Sequence, residues 1–369
     1  MRNVRVCHVT SSHETNDVRI FQKECLSLAR AGYDVYLIGP GESRKEGDVT
    51  IIGTNYRGKS RIKRFLIQPW IAYRRARKLN CDIYHLHDPE LVPYIPFFKK
   101  IGKVIFDSHE DILGDDYNRE WIWKPIQKYI ASIVTAFFRI YLKRADALIS
   151  VSPQIVKRLK TVNPNVYMVT NYPCYIEKPN YISKNKKYDL CFTGNISNMY
   201  NIEKILGILD NISDINLVLC GPIRAEYLQC LKKHNSWKQV DYKGIVSHEE
   251  VEKIQGMSKI GLAVFNKWSG TEWDYGSLGV IKLFEYLMAG LPVVCTDFVL
   301  WKNIMSQYNC GICVNPESEV EIKNAILELL GDDAKRKQMG ELGQEAIKND
   351  YNWRNQAQIL VSIYNNMIG

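Results

Sequence analysis

Short β-rich runs alternate with helical stretches along this chain, and they do so in two successive series. Such alternation calls for parallel strands joined by helical crossovers, because a tight turn cannot return a strand in the same direction. The first series predicts strands over 4–10, 35–39, 49–53, 82–87, 103–106 and 147–151. Between them lie helical patterns over 18–31, 61–79 and 123–144. In 18–31 the apolar Phe21, Leu26, Leu28 and Ala29 precede a Gly32 stop, and Pro69 is expected to kink 61–79. The second series predicts strands over 188–193, 216–221, 240–244, 260–264, 292–296 and 311–314, with helices over 201–209 and 225–234. The interval 171–187, with two prolines and several polar residues, reads as the linker. The expectation is two doubly wound domains of similar size, with ligands at the carboxyl ends of the strands.

A length of 369 residues suits two such domains, and 46% hydrophobic residues suffice for two cores. The formal charge of +9 is local. Between Val49 and Cys81 there is no acidic residue, yet Arg57, Lys59, Arg61, Lys63, Arg64, Arg74, Arg75, Arg77 and Lys78 fall there. Setting these nine aside leaves 40 basic residues against 40 acidic ones. A neutral protein with one basic segment points away from nucleic acid and toward a local anionic partner. The ten cysteines are scattered as in a reduced protein without a disulfide framework. Cys310-Gly-Ile-Cys313 is a lone pair without the two further ligands a zinc site needs, so no metal is expected. No signal-peptide pattern opens the chain, and the longest uncharged apolar run, 129–138, is half a membrane span.

The segment most informative about chemistry runs from Lys282 through Glu285 to Gly290-Leu-Pro. It opens a helix after a loop containing Gly276 and Gly279. Lys282 and Glu285, three apart, share one helical face. A helix start with free amides beside a cation suits a diphosphate, and a carboxylate suits paired ribose hydroxyls. An ordinary amphipathic helix with a surface Lys–Glu pair reads equally well from spacing alone. In the first series, His109 ends a strand beside Glu110 and Asp111, a setting for a protonated or oriented imidazole. His87-Asp88 forms a second polar strand end, and His85 points the same way as His87.

These residues resemble those of GT-B-fold glycosyltransferases, in particular glycosyltransferase family 4. The likeness takes in Asn16-Asp-Val-Arg19 through Glu24, His87-Asp-Pro-Glu90, Asp107-Ser-His109-Glu110, Ala145 through Ser152, and Tyr351-Asn-Trp353. It implies an α/β GT-B fold: two Rossmann-like doubly wound domains facing a central cleft, with a C-terminal helix crossing back to the N-terminal domain. The N-terminal, acceptor-binding domain would comprise 1–172 plus 355–369, and the nucleotide-sugar-binding domain 173–354. The resemblance implies a retaining glycosyltransferase moving a sugar from a nucleotide-diphosphate sugar to a saccharide or lipid-linked acceptor, in bacterial surface polysaccharide or glycolipid biosynthesis. His109 and Glu285 would be catalytic. Donor binding would involve Gly194, Asn195, Ser277, Val280, Ile281, Lys282, Leu283 and Glu285, and acceptor binding Asp17, Arg19, His87 and Asp88. A UDP- or GDP-sugar is the favoured donor, and no cofactor or metal is implied.

Two positions depart from the family pattern. Ser277 stands where many members carry a second Glu, with Glu272 and Asp274 nearby in the same loop. The loop from Gly194 to Asn201 has no basic residue before Lys204, so amides, Lys282, Arg224 or Lys267 must neutralise the leaving group. The alternative is a catalytically degraded homologue acting as a non-catalytic binding subunit; a sugar-nucleotide epimerase is a third class. The stretch Arg57–Lys78, with Trp121, Trp123, Phe137, Phe138 and Tyr141, suggests a cytoplasmic protein held peripherally on the inner, anionic face of a cell membrane.

Overall fold

The computed structural model describes residues 3–55, 61–109, 111–114, 124–177, 179, 181–266 and 274–368, without the side chains of 61–65 and 124–128. The chain divides into two compact units, one of residues 1–171 and 353–369 and the other of residues 172–352.

The first unit holds eight strands: β1 (Arg5–Val9), β2 (Asp34–Gly39), β3 (Arg44–Glu46), β4 (Val49–Gly53), β5 (Ile83–Leu86), β6 (Lys103–Ser108), β7 (Ala147–Ser150) and β8 (Val166–Met168). They lie in the order β3-β4-β2-β1-β5-β6-β7-β8. All neighbours are parallel except β3, which hairpins antiparallel onto β4. Strand order reverses at β1, which pairs with β2 on one side and β5 on the other.

Alternation along the strands assigns two cores. Cys7, Val9, Tyr84, Leu86, Val104 and Phe106 pack on one face. Val6, Ile83, Ile105 and Ile149 pack on the other, beneath Ile20, Phe21 and Leu28. Leu360, Ile363 and Tyr364 of the last helix, Trp353–Ile368, complete that second face. The helix is tied down by Trp353 Nε1 donating to Ser27 Oγ at 2.9 Å and by Tyr33 OH donating to Asn365 Oδ1 at 2.6 Å. Its return to the first sheet is therefore a packing requirement of its Trp, Leu, Ile and Tyr face.

The second unit has six parallel strands: β9 (Tyr188–Thr193), β10 (Leu217–Cys220), β11 (Val240–Gly244), β12 (Ser258–Ala263), β13 (Val293–Thr296) and β14 (Gly311–Val314). Their order is β11-β10-β9-β12-β13-β14. Numbered within the unit this is 3-2-1-4-5-6, the dinucleotide-fold order, with its switch point between β9 and β12. Among the described residues no helix is long and apolar enough to cross a membrane, and the ten cysteines are free thiols.

Candidate functional sites at the two switch points

In the first unit the face carrying Val6, Ile83 and Ile105 turns polar toward the strand ends. The two-residue period continues it as His8, as His85 and His87, and as Asp107 and His109. Register sets His8 directly beside His85. The helical segment Val18–Cys25 lies over this stripe and lowers Arg19 and Glu24 into it. Asp17 starts that segment as its N-cap, accepting from the amides of Arg19 and Ile20 at 2.9 Å each.

Arg19 is buried, with Nη2 2.7 Å from Asp107 Oδ2 and Nε 3.0 Å from Glu24 Oε1. Burial acts first on Asp107, pushing its carboxyl up, but the Arg19 charge and hydrogen bond outweigh it and hold the group well below the usual range. On Glu24 burial wins, and its carboxyl is pushed well up. His8 and His87 are pushed well down by burial, and His85 down to about 3 for the same reason, so all three are neutral imidazoles. Asp88 is buried and accepts from Thr10 Oγ1 at 2.7 Å and from the Ser11 amide at 2.6 Å, while His13 Nδ1 stands 2.8 Å from its other oxygen. Burial raises its pKa, yet these bonds more than offset that and lower it; His13 is raised in return, chiefly by its hydrogen bond to Asp88.

This burial redirects the expectation for acceptor binding. Arg19, His87 and Asp88 are interior groups holding the strand-end loops in place, and Asp17 is a half-buried cap. His109 retains partial exposure, with its side chain 20% accessible. Its Nε2 lies 3.3 Å from His87 Nδ1 and 3.8 Å from Asp107 Oδ2. Burial lowers its pKa, so of the protonated and oriented alternatives the structure selects an oriented, neutral imidazole. Asp111 pairs with Arg158, and Glu110 lies outside the described residues. Sequence reading had not singled out His8, His13 or Tyr364, whose roles depend on register and on the returning helix.

The second unit builds its polar site where β9 and β12 diverge. The helix Ile281–Met288 begins after Val280, and no side chain caps its start, so the first amides are open to a ligand. Gly290 ends it with φ +69°, the left-handed turn that glycine tolerates. Leu283 is core and can offer only its amide. Ser277 orders the preceding loop: its Oγ accepts from the Gly279 amide at 3.0 Å and its carbonyl from Trp301 Nε1 at 3.1 Å.

Lys282 is the unusual residue here. Its ammonium lies 3.9 Å from the ring centre of Phe192, 3.7 Å from that of Tyr200 and 5.8 Å from that of Phe265. The buried Nζ makes no hydrogen bond. Burial lowers its pKa to about 7, with the Glu285 charge acting weakly the other way. Gly194, at the end of β9 with φ +117°, makes room for it, since a Cβ there would stand 3.2 Å from Nζ. Asn195 and Arg224 line a neighbouring cavity of about 530 Å³ with Ser197 and Tyr227. Lys267 and Glu272 lie outside the described residues.

A third feature is apolar. On the helix Lys124–Leu142 the residues Tyr129, Ile133, Phe137 and Ile140 are 74, 69, 40 and 57% exposed at one-face spacing. Leu66, Ile67 and Trp70 are exposed on the helix Arg61–Ala76, which runs through Pro69; Phe97 is exposed on Ile95–Phe98, which packs against Lys124–Leu142, and its ring centre lies 5.8 Å from that of Tyr73. Arg74, Arg77 and Lys78 are exposed nearby. Arg57, Lys59, Trp121 and Trp123 fall outside the described residues, as do the side chains of Arg61, Lys63 and Arg64.

Comparison with known proteins bears on both halves. A family model described as Glycosyltransferase Family 4 matches residues 21–171, and one described as Glycosyl transferases group 1 matches residues 176–346. Among solved structures, the sucrose-phosphate synthase (tll1590) from Thermosynechococcus elongatus is 14% identical with a TM-score of 0.77, over 99% of each chain. A glycosyltransferase from Rickettsia africae ESF-5 is 14% identical with a TM-score of 0.68, over 100% of this chain and 99% of the other. Anabaena Alr3699/HepE, solved with UDP and glucose, is 12% identical with a TM-score of 0.69, over 99% of this chain and 100% of the other. At such identities these likenesses speak to the fold, which is GT-B. No curated protein matches by sequence.

Proposed function

Because the chain belongs to the group 1/family 4-like glycosyltransferases of GT-B fold, we propose that it is a retaining enzyme using a nucleoside-diphosphate sugar, with a UDP- or GDP-sugar favoured. The acceptor is a saccharide or lipid-linked saccharide of a bacterial surface polysaccharide or glycolipid. The observation that carries this reading is the Lys282 ammonium, buried without a hydrogen-bonding partner beside an uncapped helix start and the Gly194 turn. The charge is buried, and among the described residues no protein group accepts its protons; a diphosphate would do so while meeting the open amides.

In this reading the diphosphate lies against the amides of Ile281, Lys282 and Leu283, with Gly194, Asn195, Val280 and Ser277 shaping the loops around it. Glu285 accepts from the donor ribose. Arg224 supplies a second cation from the Asn195 cavity. As the anomeric bond breaks, negative charge grows on the leaving phosphate, so a cation and amides already in place stabilise the transition state without reorganising. We assign His109 to the reacting centre as a neutral imidazole whose ring is oriented by His87 and Asp107. Arg19, His87 and Asp88 position the acceptor-side loops, and Asp17 offers its remaining carboxylate oxygen.

Thermal-shift screening against UDP-, GDP- and dTDP-sugars tests the donor reading: one base should raise the melting temperature. If none does, the non-catalytic reading replaces this one. Glu285→Ala should weaken donor binding ~10- to 100-fold, the worth of charged hydrogen bonds to a hydroxyl pair. Undiminished transfer by this variant would refute the ribose assignment.

We also propose that the exposed row Tyr129, Ile133, Phe137 and Ile140, together with the exposed Arg74, Arg77 and Lys78, seats the first unit on an anionic membrane. Apolar side chains entering the interface and basic ones meeting the headgroups act together. Co-sedimentation with anionic vesicles should be strong at low salt and weak at high salt. Ile133→Glu/Phe137→Glu should reduce it at least ~10-fold. Absence of binding at low salt would contradict the proposal.

A further inference from the structure

We propose that His8, Glu24, His85 and His87 form a closed structural site for one divalent transition-metal ion, zinc being the expected occupant. The four side chains come from β1, the segment Val18–Cys25, β5 and the residue just after it, and all are buried. Their ligand atoms lie within 4.8 Å of one another.

The geometry around Glu24 Oε2 is what points to an ion. Glu24 Oε1 faces Arg19, but Oε2 accepts no hydrogen bond. Around Oε2 stand His8 Nδ1 at 3.8 Å, His85 Nδ1 at 3.9 Å and His87 Nε2 at 3.9 Å. Those separations are too long for hydrogen bonds. Atoms bound tetrahedrally to one ion at ~2.1 Å are ~3.4 Å apart. The three separations lie within about 0.5 Å of that spacing, and so does the 2.9 Å hydrogen bond between His8 Nδ1 and His87 Nε2, which the ion would replace. No pair is wider than 4.8 Å, so the widest closes by at most ~1.4 Å on binding. A buried carboxylate oxygen with no partner is otherwise a costly arrangement.

The outer groups fit as well. A ligating imidazole usually turns its second nitrogen to an acceptor that fixes its orientation. His8 Nε2 lies 3.4 Å from the Tyr364 hydroxyl, and His87 Nδ1 lies 3.3 Å from His109 Nε2. Tyr364 OH also stands 2.8 Å from His85 Nδ1, and metal binding exchanges that hydrogen bond for the ion. Three neutral imidazoles and one carboxylate are a donor set suited to zinc and its first-row neighbours. With the ion bound and Glu24 ionised by it, Arg19, Asp107 and Glu24 leave one net negative charge beside the metal. The ligands' burial leaves no solvent-facing position for a substrate, so the ion ties the ends of β1 and β5 to the first helix. It would also steady the His87 ring on which His109 rests. The inference is independent of the donor reading.

The test uses the full chain expressed with added zinc and dialysed. Elemental analysis should find about one zinc per chain. Chelator-treated protein should melt several degrees lower and recover with Zn²⁺ or Co²⁺. The Co²⁺ form should show visible d–d bands without thiolate charge-transfer bands, and His85→Gln and Glu24→Gln should each lose the metal. Should those variants fail to fold, the wild-type Co²⁺ spectrum decides. Less than about a tenth of an ion per chain, with no thermal response to Zn²⁺, Co²⁺ or Mn²⁺, overturns the proposal. A thiolate-bound cobalt spectrum overturns it too.

Discussion

Replacing Lys282 by methionine should raise the melting temperature of the protein while cutting nucleoside-diphosphate affinity ~100-fold. Both effects come from one cause. In the free protein the ammonium sits among Phe192, Tyr200 and Phe265 with no hydrogen-bond acceptor among the described residues, so the folded state disfavours its charge. A thioether of similar length fills the same aromatic cage without desolvating a cation. The sign of the pH effect follows from the lowered pKa. Between about 7, where Lys282 titrates when folded, and its ordinary 10.5, the unfolded chain binds the extra proton. Wild-type stability therefore gains a contribution as pH rises through that window, and the methionine variant lacks it. Binding a diphosphate restores the charged form, so at pH 8 the complex should take up close to one proton. Calorimetry in buffers of different ionisation enthalpy measures that uptake, and Lys282→Met should abolish it. A methionine variant that is less stable, yet binds nucleotide normally, would show that the cage is merely structural.

The second large effect concerns stability alone. Arg19→Leu should destabilise the first unit by ~3–5 kcal/mol, because it leaves the buried Asp107 carboxylate, and the Glu24 carboxyl beside it, without their shared cation. That corresponds to a fall in melting temperature of ~10 °C or more. Arg19→Lys should recover only part of the loss, since one ammonium cannot reproduce the guanidinium's contacts to both carboxylates. Thermal or urea denaturation of the three proteins checks this ordering. A leucine variant as stable as wild type would mean that Arg19 contributes nothing net to the fold.

Period-two alternation and helix stops made most strands legible in the sequence: residues 49–53, 188–193, 240–244 and 311–314 form strands over those spans. β3 escaped because Arg44-Lys45-Glu46 is charged and exposed throughout, and it pairs only as the edge of a hairpin. β8, with three residues, is too short for a periodic signal. For the sites, residue type and spacing pointed to Lys282, Glu285, His87 and His109. They could not say that Lys282 would be caged, since Phe192, Tyr200 and Phe265 come from three separate segments. Nor could they place His8 beside His85, which needs the register of two strands far apart in the chain, or Tyr364, which needs the last helix to return. The burial of Arg19 and Asp88 was hidden for a related reason: charged residues read as exposed until their partners are known.

We propose that this chain breaks a nucleoside-diphosphate–sugar bond with the Lys282 and Glu285 site. Phosphorus and proton NMR of the protein incubated with UDP-, GDP- and dTDP-sugars, together with a lipid and oligosaccharide acceptor mixture, tests it most directly. The account predicts release of one nucleoside diphosphate, an α-configured product from an α-configured donor, and loss of both signals in Lys282→Met and Glu285→Ala. Folded wild-type protein that binds a donor yet leaves every nucleotide sugar intact would contradict it.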